Sequence, residues 1–371
     1  MKIGIPKEIK NSENRVGLVP TGVKQLVNDG HEVFVQKSAG LGIGLTDDMY
    51  KHAGATILAD APSVFSSSEM IIKVKEPLTS EINLLEPKHL LFTYLHLAAD
   101  KNLTMALMER GVSAIAYETI QSSKGTLPLL LPMSEVAGRM SVQIGASTLQ
   151  LDRGGKGLLL GGVPGVRRGV VTVIGCGVAG ANAIKMAVGL GAQVIALDTS
   201  LERLAHLDDL YSNRITTLHS NPENIRKSVI SSDLVIGAVL IAGAKAPKLV
   251  TREHLRSMEK GSVVIDIAVD QGGCIETCRP TTHENPTFVE EGIVHYCVAN
   301  MPGAVAHTST YALTNMTTPY ARILANGKGI TGESLRRYPE LVGGINLFKG
   351  KLVYKQIALD LDLPYTPMPE I

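Results

Sequence analysis

The sequence predicts an α/β protein with two doubly wound parallel-sheet domains and a cleft between them. Three features of the 371 residues support this prediction. Short apolar strands alternate with helical segments, a glycine-rich turn follows one strand, and two helical segments interrupt the alternation. The length is itself typical of about two domains.

The first half of the chain, residues 1–127, predicts the first sheet. Helical stretches such as VKQLVNDG and TMALMERG end at glycine, as many helices do. They alternate with segments that predict strands, namely MKIGIP, EVFVQ, MIIKVK, HLLFTYL and SAIAYE. Strands that alternate with helices favour a parallel sheet with helices on both faces.

The segment Val170–Ser200 predicts a dinucleotide site in the second sheet. A β-branched run meets Gly-x-Gly-x-x-Gly at Gly175, Gly177 and Gly180, and a helix and a second strand follow. These glycines allow a tight turn, a close approach to the pyrophosphate and close helix–sheet packing. The amide groups and the dipole of the helix N-terminus favour the phosphates.

An acid at the end of the second strand predicts the choice of cofactor. Asp198 lies 18 residues beyond Gly180, close to the usual spacing of about 20. A carboxylate there accepts hydrogen bonds from ribose hydroxyls and repels a 2′-phosphate, which favours NAD over NADP. Arg203 slightly weakens this exclusion because an arginine near the acid can host a phosphate, although it could equally be a solvated helix residue.

Two helical segments divide the chain into domains. After the prolines of LPLLLPMS, a helix is predicted from an N-cap at Ser134 to about Leu151, and TSTYALTNMTTPYARILANG forms a second connector. We therefore predict a Rossmann NAD-binding domain at 129–305. A discontinuous Rossmann-like substrate domain comprises 1–128 and 306–371, and the cleft between the domains is the predicted active site.

Composition excludes several other classes of protein. The formal net charge is +1 without a basic cluster, which disfavours nucleic acid as a partner. The N-terminus lacks the apolar stretch of a secretory signal, and no segment predicts a membrane span. Four cysteines are too few for a disulfide framework and indicate thiols in the cytosol, and no metal-ligand cluster occurs.

Ligands of parallel α/β sheets bind at the carboxyl ends of strands, and this rule selects candidate residues. Lys75 and His96 follow strands of the first domain, and a histidine can exchange protons near neutral pH. Arg15 lies in a loop and could bind a carboxylate through two hydrogen bonds. In the second domain the rule selects Asp270, Leu240, Asn300 and Met301.

Each candidate has a plainer alternative. Lys73 shares a strand face with Lys75, so only the strand-end position favours Lys75. Asp266 competes with Asp270, but a mid-strand carboxylate more often has a hydrogen-bonded structural role. His96 could be an ordinary strand-end histidine, and Arg15 a solvated loop charge.

Several motifs resemble those of bacterial alanine dehydrogenases along the whole chain. They are MKIGIPKEIKNSENRVGLVP, IIKVKEP, YLHLAADKNL, LPMSEVAGRMS, GGVPGV, VIGCGVAG, DIAVDQGG and VANMPGAVAHTSTYALTN. The resemblance implies reversible, NAD-dependent oxidative deamination of L-alanine to pyruvate and ammonia in a cytoplasmic homohexamer. It also implies that Arg15 and Lys75 hold the substrate, that His96 is the general acid/base and that Asp270 assists proton transfer.

The resemblance extends the expected NAD contacts beyond the glycine turn and Asp198. The implied contacts are Ser134, Val178, Ala179, Arg203, Ser220, Val239, Leu240, Ile267, Ala268, Val269, Asp270, Val298, Ala299, Asn300 and Met301.

The main alternative is the NAD(H)-binding subunit of a proton-translocating transhydrogenase, which shares the fold. Such a subunit would deliver NAD(H) to another protein. Three features disfavour it: no membrane segment follows, His96 is present in YLHLAAD, and a long docking loop is missing from the second domain. Saccharopine- or lysine-type dehydrogenases are a further alternative with a similar architecture.

Overall fold

A computed structural model describes residues 1–239 and 246–369. The chain divides into two compact units, residues 1–133 with 305–371 and residues 134–304. We call them the first and the second unit. The limits predicted from sequence, 1–128 with 306–371 and 129–305, differ from these by a few residues. The predicted division of roles between the two domains stays a prediction.

The first segment of the first unit alternates strands and helices as its sequence predicts. Its helices begin at side-chain caps where the sequence offers them; Asp100, for example, accepts a hydrogen bond from the Leu103 N–H at 3.0 Å. The strands are β1 (Lys2–Ile5), β2 (Glu32–Gln36), β3 (Thr56–Leu58), β4 (Met70–Ile72), β5 (Leu90–Thr93) and β6 (Ser113–Ala116). The helices are α1 (Pro20–Asn28), α2 (Asp47–His52), α3 (Ala61–Ser67), α4 (Thr79–Ile82) and α5 (Lys101–Glu109). Helix α6 (Leu131–Thr148) begins at the end of this segment and belongs mostly to the second unit.

Three boundaries predicted from sequence were wrong. Strand β4 ends at Ile72, so Lys73 and Lys75 lie beyond the strand and the argument from a shared strand face does not apply. Strand β5 ends at Thr93, before His96. Helix α6 begins at Leu131, so Ser134 lies inside the helix and is not its N-cap. Proline is tolerated in the first turn of a helix, and Pro132 therefore does not delay its start.

The second unit contains the glycine-rich turn between its first strand and helix. Its strands are β7 (Val170–Ile174), β8 (Gln193–Asp198), β9 (Ile215–His219), β10 (Leu234–Gly237), β11 (Val263–Asp266), β12 (Thr287–Glu290) and β13 (Ile293–Tyr296). Its helices beyond α6 are α7 (Val178–Gly189), α8 (Leu201–Tyr211), α9 (Pro222–Ile230) and α10 (Arg252–Arg256). Asp266 is the last residue of β11, so the prediction that it lies mid-strand was wrong.

The C-terminal segment completes the first unit. It contains α11 (Ala306–Asn326), α12 (Gly332–Arg337), α13 (Glu340–Gly344), β14 (Ile345–Phe348), β15 (Lys351–Leu352) and α14 (Lys355–Leu361). Strand β14 pairs antiparallel with β6, and β12 pairs antiparallel with β13. Both sheets are therefore mostly parallel, as predicted, with antiparallel strands at one edge of each. A short glycine-containing turn, Glu291–Gly292, joins β12 to β13, and another, Lys349–Gly350, joins β14 to its antiparallel neighbour β15.

The two sheets follow the same strand order over most of their width. Within the described residues, the first sheet has the order β15-β14-β6-β5-β4-β1-β2-β3 and the second β12-β13-β11-β10-β7-β8-β9. Each order reverses beside its first strand, between β1 and β4 and between β7 and β10. Such switch points are where α/β sheets bind ligands. The prediction of a two-domain doubly wound α/β fold is confirmed.

Apolar residues of strands and covering helices form the core of each unit. Leu91, Leu107 and Leu347 belong to one cluster in the first unit, and Ile174 and Val264 to one in the second. Burial of such side chains is the main favourable term in folding. In the described parts of the chain, no helix is long and apolar enough to cross a membrane.

Candidate functional site

In the first unit, the candidate substrate residues lie in loops at the carboxyl ends of strands around the switch point. Arg15 lies in the segment after β1, Lys75 follows β4 and His96 follows β5. In a parallel sheet these ends share one edge, so the fold brings the three loops to the same side.

Arg15 is almost fully buried and bound to an acid. Its side chain is 2% exposed, which excludes the solvated loop charge considered from sequence. The guanidinium donates from Nε and Nη2 to both oxygens of Glu13, at 2.7 and 2.6 Å, and from Nη1 to the Met133 sulfur at 3.0 Å. Burial lowers the pKa of Arg15, but the Glu13 carboxylate outweighs this and the net shift is upward. Arg15 is thus a fixed cation with a set orientation.

Lys75 is distinguished from Lys73 by its neighbours. The Lys73 ammonium is 1% exposed and lies between two buried carboxylates, 2.6 Å from Glu81 and 3.2 Å from Glu8. Lys75 is half-buried, and its pKa is lowered by burial and next by the positive charge of Arg15. Lys73 therefore belongs to an internal ion cluster. The charge of Lys75 is instead disfavoured by burial and by Arg15, and an anionic substrate could offset that effect.

Glu8 connects the ion cluster to the Lys75 loop. One carboxylate oxygen accepts the Val74 N–H at 2.7 Å and the Lys75 N–H at 3.4 Å, while the other accepts from Lys73. Burial raises the pKa of Glu8, and Lys73 opposes that shift. The counterion and the two amide donors meet the hydrogen-bonding requirement of the buried Glu8 carboxylate. Glu8 can therefore fix the backbone that carries Lys75.

His96 adopts a left-handed backbone conformation, with φ 50° and ψ 36°. The backbone N–H of His96 donates to Glu118 at 2.6 Å, and its ring stacks on Tyr94 with 5.8 Å between centroids and 4° between planes. The Tyr94 hydroxyl is fixed in turn by the Leu129 carbonyl at 2.6 Å. The side chain of His96 is 41% exposed, so a ligand can reach it.

In the second unit, the glycine turn has the geometry that a dinucleotide pyrophosphate requires. Gly175 has φ 92°, which side chains rarely adopt, and a Cβ on Gly180 would lie 1.8 Å from the Gly175 carbonyl oxygen. A Cβ on Gly177 would meet nothing within 4 Å, so space remains beside the backbone at the start of α7. Phosphate groups bind at helix N-termini of this kind.

Asp198 ends β8 beside the glycine turn. Its two carboxylate oxygens accept the Cys176 N–H at 2.6 Å and the Ser200 N–H at 2.8 Å, and the side chain is 6% exposed. The Arg203 guanidinium lies 3.6 Å from the carboxylate and is mostly exposed. Asp198 therefore fixes both loops of the predicted ribose site in addition to its predicted role toward the ribose.

Asp266 and Asp270 have different environments. Asp266 is buried, and burial raises the pKa of its carboxyl group. Three backbone N–H donors, from Ala268, Cys274 and Ile275, oppose that shift. Asp270 is exposed in the short turn Val269–Gln271 that follows. Asp266 thus holds the loop, and Asp270 is the carboxylate that a substrate can reach.

The other predicted cofactor residues are distributed over several elements of the second unit. Val239 lies near Gly175, and the Ser220 N–H donates to the Asp198 carbonyl at 2.9 Å. Leu240 lies outside the described residues. Ser134 lies in α6, Val178 and Ala179 begin α7, Arg203 lies in α8, Ile267, Ala268 and Val269 follow β11, and Val298, Ala299, Asn300 and Met301 follow β13.

Sequence reasoning missed the acids that hold the candidate loops, namely Glu8, Glu13, Glu81 and Glu118. Glu118 follows β6, so the strand-end rule that selected Lys75 and His96 could have found it. Glu8 and Glu13 lie close in sequence to Arg15, but nothing in the sequence distinguishes a buried glutamate from a solvated one.

The fold and these loops define a class: two-unit α/β proteins that bind a dinucleotide at the switch point of the second sheet. The family model described as "Alanine dehydrogenase/PNT, N-terminal domain" matches residues 4–137, and that of the corresponding C-terminal domain matches residues 141–355. The chain belongs to the alanine dehydrogenase/PNT family.

Relatives resemble the chain along nearly its whole length. An alanine dehydrogenase of Methanococcus maripaludis is 56% identical over 99% of this chain and 98% of its own. One of Geobacillus stearothermophilus is 57% identical with the same coverage of each. A solved L-alanine dehydrogenase structure has a TM-score of 0.94 at 50% identity and covers 98% of this chain and 99% of its own. A transhydrogenase from Sinorhizobium meliloti has a TM-score of 0.81 at 26% identity, covering 95% and 99% respectively.

Proposed function

We propose that this protein is an NAD-dependent oxidoreductase that converts L-alanine reversibly to pyruvate and ammonia. The observation that carries the proposal is the set of three side chains, Arg15, Lys75 and His96, after the first, fourth and fifth strands of the first sheet. Two cations and a proton-exchanging group suit a small substrate with a carboxylate and a carbonyl or amine at the neighbouring carbon. The alanine dehydrogenase relatives support the same activity.

Arg15 and Lys75 bind the substrate in this proposal. The guanidinium of Arg15 is held by Glu13, so it loses little freedom when it binds the alanine carboxylate. Lys75 carries a pKa lowered by burial and by Arg15, and an anionic substrate would offset that repulsion. Its ammonium donates to the substrate carbonyl or carboxylate.

His96 and Asp270 move protons. The ring nitrogen Nε2 of His96, on the side away from Glu118, accepts a proton from the attacking water as its oxygen bonds to the iminium carbon. It donates that proton to the amine as the C–N bond breaks and ammonia leaves, and the reverse direction retraces both transfers. Asp270 is exposed at the end of the β11 loop and assists transfer to the attacking water or ammonia. Asp266 accepts three backbone N–H groups of that loop, so the backbone that carries Asp270 is held in place.

The residues of the second unit fit NAD. The turn at Gly175–Gly180 has no room for a Cβ at Gly180 and leaves open space at Gly177, where the pyrophosphate would approach the backbone. Asp198 ends the neighbouring strand and would accept the ribose hydroxyls. Bound NAD⁺ supplies the acceptor for the hydride that leaves the alanine Cα.

The transhydrogenase alternative has less support. The matched transhydrogenase structure is 26% identical, against 50% for the L-alanine dehydrogenase structure. His96, which the proposed deamination requires, lies in the loop after β5 and is accessible.

A homohexamer in the cytoplasm completes the proposal. The four cysteines are free thiols, which suits a reducing compartment. Light scattering on the eluting protein would give six times the chain mass of 39.5 kDa for a hexamer. Any other mass would contradict this part of the proposal and leave the activity unaffected.

The activity has a direct test. The purified protein, mixed with L-alanine and NAD⁺, should produce NADH, followed by its absorbance, and pyruvate with ammonia should consume NADH. D-alanine serves as the matched control. Absence of turnover with L-alanine, by a protein that binds NADH, would overturn the proposed function and favour a binding module.

A further inference from the structure

Glu118 faces the loop of His96 and has no role in the proposed chemistry. It lies in the short turn Tyr117–Thr119 that follows β6, and β6 is the direct neighbour of β5, which leads to His96. Its side chain is 15% exposed. This carboxylate is largely shielded from solvent and lies beside the accessible side chain of His96, so its hydrogen-bond partners indicate its role.

Its hydrogen bonds go to the backbone of the His96 loop. Glu118 Oε1 accepts the His96 N–H at 2.6 Å and the Leu95 N–H at 3.2 Å, and Oε2 lies 3.3 Å from the Leu95 nitrogen. The nearer carboxylate oxygen is 4.0 Å from the ring nitrogen Nδ1, too far for a hydrogen bond. Glu118 therefore holds the main chain of the loop and makes no hydrogen bond to the imidazole ring.

The backbone conformation of His96 requires stabilising contacts. His96 has φ 50°, and a residue with a Cβ adopts this left-handed conformation only where its surroundings impose it. Two successive N–H groups directed at one carboxylate supply that constraint, because charge-assisted hydrogen bonds are the strong ones. The same conformation places the ring flat against Tyr94.

We propose that Glu118 is a positioning residue, which fixes the left-handed turn at His96 and so directs the imidazole toward the substrate. This inference rests on the proposed function. The parallel with Glu8 supports it: that buried acid binds the N–H groups of Val74 and Lys75 after the adjacent strand β4. In both loops an acid at the edge of the sheet holds the residue that a substrate would contact.

Two substitutions separate this role from a general structural one. Glu118→Ala removes the acceptor, and kcat should fall about 100-fold, as for a catalytic group misplaced by about 1 Å. Glu118→Gln keeps a carbonyl oxygen that can accept the His96 N–H, and it should restore kcat to within about tenfold of wild type. The KM for L-alanine should change less than about threefold in both, because Arg15 and Lys75 are untouched. Glu109→Gln, in an exposed helical position of the same unit, is the matched control.

A crystal structure of Glu118→Ala gives a readout that does not depend on activity. We expect the backbone of His96 to leave the left-handed region and its ring to leave the stack with Tyr94. A variant that keeps both, or one whose kcat remains within about twofold of wild type, would overturn the proposal. If wild-type protein lacks turnover with L-alanine, the proposed function fails, and the backbone of His96 in the variant still decides the role of Glu118.

Discussion

The sheets of the two units share a strand order, but different kinds of group form the candidate site at the carboxyl-end edge of each sheet. In the second unit the backbone forms the site: Gly175 has a φ of 92°, which other residues rarely adopt, and Gly180 has no room for a Cβ. In the first unit side chains form it, and buried acids hold them, as Glu13 holds Arg15 and Glu118 holds the loop of His96. A shared topology thus supplies the edge, and the loops decide whether it binds a phosphate or a small carboxylate.

This difference explains why the sequence predicted the dinucleotide site from a motif but not the roles of the charged side chains in the first unit. A turn in which a Cβ on Gly180 would lie 1.8 Å from a carbonyl oxygen must contain glycine, so the dinucleotide site was visible as a motif. A charged side chain gives no comparable signal in the sequence. Lys73 and Lys75 are the same residue type, and they differ only in the carboxylates around them in the structure. The strand-end rule could select the loops of Lys75 and His96, but resemblance to a family supplied their roles.

The fold was predicted well where periodicity is strong and poorly at its edges. The order of strands and helices in both units followed the alternating pattern. The short strands β3, β9, β12, β14 and β15 were missed, because few or half-exposed residues give little periodicity. The start of α6 was placed at Ser134 because an N-cap rule was applied where Pro132 already lies in the first turn.

The first prediction removes the chemistry of the first unit and leaves the second unit intact. His96→Ala should lower kcat by about 1,000-fold, since the general acid/base is lost. The Kd for NADH, measured by fluorescence titration, should stay within about twofold, because the proposed nucleotide contacts belong to the other unit. His206→Ala, at an exposed position of α8, is the control. Turnover near the wild-type rate would exclude His96 as the acid/base.

The second prediction concerns the buried ion cluster of the first unit, in which Glu8 and Glu81 bind Lys73. Lys73→Met leaves Glu8 and Glu81 buried without a counterion and should lower the free energy of unfolding by about 3 kcal/mol. Replacing both acids with glutamine as well should recover much of that loss, because the cluster of residues 8, 73 and 81 then carries no buried charge. Urea denaturation followed by circular dichroism measures both, and Lys101→Met, exposed at the start of α5, is the control. A loss below about 1 kcal/mol would show that the cluster contributes little.

The third prediction addresses the backbone site of the second unit. Gly180→Ala forces a contact with the Gly175 carbonyl and should lower the free energy of unfolding by about 2 kcal/mol while weakening NADH binding. Gly189→Ala, in the same helix with no atom within 4 Å of its Cβ, should be neutral or stabilising by up to about 1 kcal/mol. Equal effects of the two substitutions would contradict the account of the turn.

The smallest expected effect concerns cofactor choice. Asp198→Ala removes the carboxylate that would repel a 2′-phosphate, so the ratio of kcat/KM for NAD⁺ to that for NADP⁺ should fall about tenfold. Because Asp198 also accepts two loop N–H groups, kcat/KM for NAD⁺ should fall as well. Glu202→Ala, at an exposed position nearby, is the control. An unchanged ratio would mean that Asp198 serves the loops alone.

Hydrogen exchange measured by mass spectrometry on the whole protein tests the central contrast most directly. NADH alone should slow exchange at the glycine turn, 174–180, and at 198–203, and leave the loops around Arg15, Lys75 and His96 unchanged. Pyruvate alone should protect those three loops and leave the glycine turn unchanged. Protection of the first-unit loops by NADH, with none at the glycine turn, would contradict the account.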